Sequence, residues 1–267
     1  MSIGYSTQKG LSNSNPMRRW SQMVSYTTPP PPPITNPTIG MTARGSATTS
    51  TAQVKFGTAS MLAGGTGGSS YIENTSGDYA WWPSGTGNFT VQWWQYIPSG
   101  TSNTYMEFAS NEMTGSGTGG FGFRLGPGFG AASYQGIGLF ARGYADLDYS
   151  TNTWTNDTWQ FVSITRSGTN MYIHVDGVSQ ALSGSGAGTT NFIATSGLNK
   201  IQIGNAGGGG LRNVYVDDFQ VFAGTAKYTS ASYTPPTSQA ILTTGTTALF
   251  NMNGSNGGTS FPNVTSN

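Results

Sequence analysis

The chain of 267 residues carries no cysteine, a formal charge of +1 and only 8% charged residues, against 12% aromatic residues and 40 glycines. That balance excludes charge-driven disorder, which pairs low hydrophobicity with high net charge, and the missing cysteine excludes disulfides and thiolate metal sites. The length suits one large all-β domain or two small ones.

The opening MSIGYSTQKG lacks the apolar core of a signal peptide, and no stretch approaches the roughly 18 apolar residues of a membrane helix. The expectation is a product made soluble in the cytoplasm, with no membrane partner. Charge is placed unevenly: Lys9, Arg18, Arg19, Arg44 and Lys55 all precede Glu73, the first acid, and nothing beyond Lys227 is charged. Residues 1–35 show no sustained periodicity and end in the run Pro29 to Pro33, which predicts a basic extended arm with a stiff polyproline spacer. Within it Arg18, Arg19 and Trp20 are the candidate partner-docking residues, through cation and aromatic contacts, although short basic clusters also occur in merely solvated tails. The neutral stretch after Lys227 can lie against protein without desolvating ions, as a packed interface or a closing strand.

From residue 36 to 267 the pattern changes to short alternating or apolar runs punctuated by Gly, Asn, Asp and Ser, which predicts a two-sheet antiparallel sandwich. Phe89 to Ile97 alternates, with Phe89, Val91 and Trp93 on one face, and stops at Pro98 as a central strand should. Trp159 to Arg166, the turn Ser167 to Asn170 and Met171 to Val175 form a hairpin. Asp176-Gly177 then supplies a tight turn, because glycine accepts positive φ, and Val178 to Leu182 continues as a short strand. Lys200 to Gly204 and Val214 to Phe222 add two more, separated by Gly207 to Gly210. That glycine run leads into a strand and not a helix start, so it is read as a loop and not a phosphate cradle.

Several of these segments together resemble the concanavalin A-like lectin and glucanase superfamily, specifically the laminin-G-like domains common in tailed-phage structural proteins. Phe89 to Trp94 resembles the family's aromatic strand, and Thr158 to Arg166 its Trp-led strand ending in Thr-Arg. Tyr172 to Gly177 is similar to its Asp-Gly hairpin, and Tyr215 to Val221 to its closing strand with paired aspartates. Thr51 to Met61, Gly224 to Thr229 and Tyr233 to Pro236 resemble phrases that flank such domains in phage genomes. The resemblance covers about residues 43–267 and implies a jelly-roll sandwich. Ala248 to Gly257 looks like the strand and turn that usually open these domains, yet it comes last. Residues 247–252 would then fill the first-strand position in an effectively permuted domain, or pair with a neighbouring subunit.

Glucanases of this superfamily use two carboxylates alternating on one strand. No strand here carries such a pair: Glu107 and Glu112 are separated by a mixed segment, and Glu73 stands alone. Asp146 with Asp148 is the best catalytic candidate, and pairs of this kind are more often solvated loop residues. The single histidine, His174, shares a face with Tyr172 and Asp176 and reads as a surface strand residue. Asp217 is placed on the face of Phe219 and Val221 as a buried carboxylate accepting backbone hydrogen bonds, with Asp218 on the opposite face. Calcium is allowed by the family resemblance, but no ligand set can be placed, and a structural role for the acids outweighs a metal-binding one. Trp81, Trp82 and Trp154 lie near turns and are the candidate carbohydrate-stacking residues, whereas Trp93 and Trp159 read as core. Nucleic acid has only the cationic arm in its favour.

The expected function is that of a non-enzymatic structural component of a tailed-phage virion, a capsid decoration or tail- or fibre-associated protein. It would be present in many copies or as a homo-oligomer, and held to other virion proteins by its arm and neutral surface. The alternative is a carbohydrate-binding adhesin for host or environmental polysaccharide. No cofactor is expected.

Overall fold

The computed structural model describes residues 39–64, 70–74, 79–83, 85–100, 106–111, 121–126, 136–141, 148–150, 154–183, 201–205 and 213–265. The arm with Arg18, Arg19 and Trp20, the run Gly207 to Gly210, Glu112 and Asp146 lie outside the described residues.

Among the described residues every element is a strand, and the strands form two antiparallel sheets. The larger contains β1 (Gly40–Arg44), β4 (Ser70–Asn74), β6 (Met106–Asn111), β7 (Phe121–Gly126), β8 (Gly136–Ala141), β9 (Asp148–Ser150), β13 (Leu182–Ser183), β14 (Ile201–Asn205) and β17 (Ser260–Pro262). Their order is β13-β9-β8-β7-β6-β14-β4-β1-β17. The smaller contains β2 (Thr48–Ser50), β3 (Ser60–Ala63), β5 (Phe89–Tyr96), β10 (Trp159–Ser167), β11 (Asn170–Val175), β12 (Val178–Ser179), β15 (Val214–Ala223) and β16 (Ala248–Phe250), in the order β12-β11-β10-β5-β15-β3-β2 with β16 also on β15. This is the expected jelly-roll sandwich of two sheets.

Alternation explains how the sheets meet. Phe89, Val91 and Trp93 of β5, with Val162 and Ile164 of β10, turn inward against Ile72, Phe123, Leu125, Ile201 and Ile203 of the larger sheet. Trp93 sits at the centre, its ring 6.0 Å from Phe123 across the sandwich and stacked on Phe219 at 6.1 Å. Its indole N–H donates to Gln95 at 3.1 Å, so the ring is buried without a stranded donor. Truncating an aromatic of this size in a packed core costs about 3–5 kcal/mol.

The opposite face of the smaller sheet is also buried, because two loops lie across it. Gln53 to Thr58 brings Phe56 edge-on to Trp94, 5.9 Å between centroids, and sets Lys55 Nζ 3.9 Å above the Trp94 ring. The stretch after β15 lays Tyr228 and Tyr233 down as a stacked pair at 3.9 Å. The Tyr233 hydroxyl lies 2.7 Å from Ser163 Oγ, and His174 Nε2 pairs with the Ser230 carbonyl at 2.8 Å. His174 is therefore 0% exposed, a correction to its reading as a surface residue, and the cover supplies the reason. Burial lowers its pKa and favours neutral imidazole, which donates to that carbonyl. Beneath the cover, polar groups pair with each other: Gln92 donates to Gln220 at 2.8 Å, and Thr90 and Thr165 meet at 3.1 Å.

In the middle of β15 the register slips by one residue between Asp217 and Gln220, with Asp218 in the left-handed region at φ 47°. Asp217 stands opposite Trp94 and Gln220 opposite Gln92. Asp217 thus shares the covered outer face with Gln220, while Phe219 and Val221 point into the core, which corrects the face assigned from simple alternation. The same edge of β15 takes two partners end to end, β3 on Val214–Val216 and β16 on Phe219–Val221. After β16 the chain crosses the open side of the sandwich. Thr49 holds the crossing: its N–H donates to the Gly258 carbonyl at 2.8 Å, its hydroxyl to the Ser255 carbonyl at 2.5 Å, and its carbonyl accepts from Gly257 at 2.8 Å. The crossing ends in β17, which pairs with β1. The run Val178 to Leu182, expected as one strand, is two, since the chain leaves the smaller sheet after Ser179 and joins the larger at Leu182.

The Asp176-Gly177 turn shows how closely the cover is seated. Gly177, at φ 77°, accepts from Tyr233 N at 2.8 Å, and a Cβ added there would run into the Tyr233 carbonyl. Gly168, at φ 58° in the preceding turn, has open space around it. Gly168→Ala is expected to cost only the about 1–2 kcal/mol of left-handed strain, and Gly177→Ala clearly more. Urea unfolding of the two variants checks this, and equal losses would mean the cover contributes nothing at that turn.

Candidate functional site

The three tryptophans expected at exposed turns are all buried. Trp81 and Trp82 are each 2% exposed and Trp154 is 4% exposed. Trp81 packs edge-on to Trp82 and to Phe250 at 5.7 Å, and Trp82 lies 5.9 Å from Phe123. Trp154 donates its indole N–H to Asn156 at 3.0 Å. These rings are part of the core and offer no free face to a sugar. The structure does not bring Trp154 together with the other two as an exposed surface.

Four of the acids are occupied locally. Glu73 is buried and pairs with the Arg44 guanidinium, with Gln202 Nε2 at 3.5 Å. Asp176 accepts from Phe161 N at 2.8 Å and from Gln160 at 3.2 Å. Asp217 Oδ2 accepts from Lys55 N at 3.2 Å and Phe56 N at 3.0 Å, and its Oδ1 from Asp218 N at 2.9 Å. Asp218 accepts from Ala240 N at 2.7 Å and Asn251 Nδ2 at 2.6 Å. The two consecutive aspartates therefore pin the first cover loop and the segment before β16 to the bulge, as backbone acceptors. Asp148 lies in β9 opposite Leu139, and Glu107 in β6 opposite Arg124. Among the described residues no group of three potential metal ligands converges.

One place on the covered face stays half open. Register sets Tyr215 of β15, Tyr96 of β5 and Trp159 of β10 side by side across three strands. All three are partly exposed. Tyr96 lies 5.8 Å from Trp159 and 5.9 Å from Tyr215. Exposed Asp157 stands beside them, its Oδ1 accepting from Ser99 N at 2.9 Å and 3.5 Å from the Tyr96 hydroxyl. Hydrogen bonds from Ser99 hold the Asp157 carboxyl below its ordinary range, so it is a charged acceptor at neutral pH. Rings on rigid strands beside a carboxylate can stack apolar sugar faces and accept hydroxyls. Sequence reasoning had assigned Trp159 to the core. The available signal was Tyr96, which alternates out of phase with Phe89, Val91 and Trp93, and whose cross-strand partners share its face.

A family model described as the concanavalin A-like lectin/glucanases superfamily, Laminin_G_3, matches residues 45–231. Among solved structures, the receptor-binding domain of botulinum neurotoxin D is similar at TM-score 0.49 and 14% identity, over 74% of this chain and 49% of that one. The binding domain of botulinum neurotoxin serotype D/C VPI 5993 gives TM-score 0.49 and 15% identity, over 70% and 44%. Domain 4 of AbnA, an extracellular arabinanase from Geobacillus stearothermophilus, in complex with arabinotriose, gives TM-score 0.45 and 10% identity, over 72% and 85%. The chain spans about half the length of the neurotoxin domains it matches, and at such identities the likeness concerns the fold alone. No curated protein matches the sequence.

The buried aspartates carry a pH signature. Burial pushes the Asp217 carboxyl up to about 7, the adjacent Asp218 carboxylate adds to the rise, and the donated N–H groups oppose it. The unfolded chain releases that proton near about 4 and the folded chain only near neutrality, so stability falls as pH rises through this window. Buried His174 acts oppositely, its pKa being lowered. The comparison must therefore be between wild type and Asp217→Asn: the variant is expected to lose less stability between about pH 4 and pH 8. Parallel melting-temperature profiles would refute the assignment.

Proposed function

The chain belongs to the concanavalin A-like lectin/glucanase superfamily, and from that footing we propose that it is a non-catalytic recognition module of a tailed-phage virion that meets carbohydrate through Tyr215, Tyr96 and Trp159. The observation that carries the recognition half is this half-exposed aromatic row beside a charged carboxylate, held by three paired strands. Aromatics that lack a packing need for exposure, placed on rigid elements, are the usual material of a binding surface.

A non-catalytic role is supported by the work four of the described acids already do: Glu73, Asp176, Asp217 and Asp218 each hold a backbone or side-chain donor in place. A carboxylate committed in this way is poorly placed to act as nucleophile or general acid. The virion half rests on the phage-like phrases at Thr51 to Met61, Gly224 to Thr229 and Tyr233 to Pro236, together with the basic, proline-containing arm as the docking element. Those phrases form the loops that cover the smaller sheet, which gives their unusual composition a folding purpose within the domain. A charge-poor surface suits packing in many copies against other virion proteins, and no cofactor, calcium included, is required by this role.

Binding of soluble polysaccharides by affinity electrophoresis tests the recognition half. Trp159→Ala and Tyr96→Ala are each expected to weaken binding by about 1–2 kcal/mol, roughly tenfold in Kd, with little change in melting temperature. Trp81→Phe should leave binding intact. Unchanged affinity in both alanine variants would remove the row from the proposal, and purified particles lacking this chain would remove the virion.

A further inference from the structure

Resting on that reading of the aromatic row, we propose that its ligand is a single soluble glycan chain with a turn between successive sugars, and not the flat face of a crystalline polysaccharide. A flat ribbon lattice needs rings that lie in one plane. Here the Trp159 ring is inclined 54° to that of Tyr96, and the Tyr215 ring 80°. Tyr96 packs between its two neighbours at those angles, with its hydroxyl 3.5 Å from Asp157. The pairing of Trp159, Tyr96 and Tyr215 across three strands fixes the positions from which the rings project.

The borders of the row point the same way. Two positions back along β5, Trp94 lies under Phe56 and the Lys55 ammonium, which stand up from the sheet as a wall. On the other side the chain turns through Ser99 and Asp157, which are tied together at 2.9 Å. Between them the three rings form a trough running across the strands. With neighbouring strands about 4.8 Å apart, three of them span roughly 10 Å, room for a short stretch of one chain. A planar solid cannot descend between wall and turn, whereas a flexible chain can present one sugar face to each inclined ring in succession. Asp157, on the side of the trough beside the middle ring, then accepts hydroxyls.

The full chain is incubated with soluble laminarin and soluble starch, both twisted single-chain glucans, and with microcrystalline cellulose and crystalline chitin. The expected result is retardation by at least one soluble glucan, weakened about tenfold in Tyr96→Ala and Trp159→Ala, with no depletion by either solid. Melting temperatures close to wild type in Tyr96→Ala and Trp159→Ala exclude misfolding as the cause of loss, and Gly168→Ala, in the β10–β11 turn away from the row, should bind like wild type. Depletion by cellulose or chitin that Tyr96→Ala abolishes would overturn this inference while leaving the row as a recognition site. Failure to bind any of the four would overturn both the inference and the recognition reading beneath it.

Discussion

The slip in β15 is the constraint on which the rest of the architecture hangs. A strand that alternated without interruption from Val214 to Ala223 would carry one partner along its edge and would turn one of the two aspartates inward, Asp218 in the phase of Val216 or Asp217 in the phase of Phe219. By inserting a residue at the Asp217–Gln220 step, with Asp218 at a positive φ, the chain breaks that edge into a slot for β3 and a slot for β16. Asp217 is left on the covered face and Asp218 beside the end of β16, where each accepts backbone N–H groups. The first cover loop and the approach to β16 are thus fastened to the same point. A carboxylate is suited to this because it can accept several donors at once, and the cost of burying it is partly met by those donors.

That fastening explains why a chain with so few charges has so many buried polar side chains. The outer face of the smaller sheet is lined by Thr90, Gln92, Ser163, Thr165, His174 and Gln220, all buried. A purely apolar outer face would stack the cover strongly but without register. A lattice of amide and hydroxyl pairs admits one alignment, and Tyr233 on Ser163, Ser230 on His174 and Gln220 on Thr246 together select it. The cover stops short at Tyr215, Tyr96 and Trp159, and it is this unfinished margin, and not the loops at large, that leaves aromatic surface to the solvent.

Much of the sandwich was legible in the residues because its inward positions are apolar and spaced by two. Phe89 to Ile97 was expected and β5 runs from Phe89 to Tyr96; Val214 to Phe222 was expected and β15 runs from Val214 to Ala223. The Asp176-Gly177 turn takes the positive φ values, 50° and 77°, that its residues invite. What was not legible has a common cause, contact between residues far apart in the chain. Trp81 and Trp82 beside Pro83 carry the local signs of an exposed turn, and only the arrival of Phe250 and Phe123 buries them. The bulge does leave a mark, a change of apolar phase from Val214 and Val216 to Phe219 and Val221 across the two aspartates, which simple alternation extended back from Val221 passes over. The aromatic row is assembled from three strands whose sequences are widely separated, so no window of the sequence contains it.

The wrap of residues 248–264 has a consequence for folding. Ile39 donates its N–H to the Asn263 side chain, β1 takes β17 as a neighbour, and Val264 donates to Leu249. Pairings that join residues so distant raise the entropic barrier to closure. Until residues 248–264 are in place, the Phe219–Val221 edge of β15 and the outer edge of β1 are unpaired, and bare strand edges are the templates on which chains mispair.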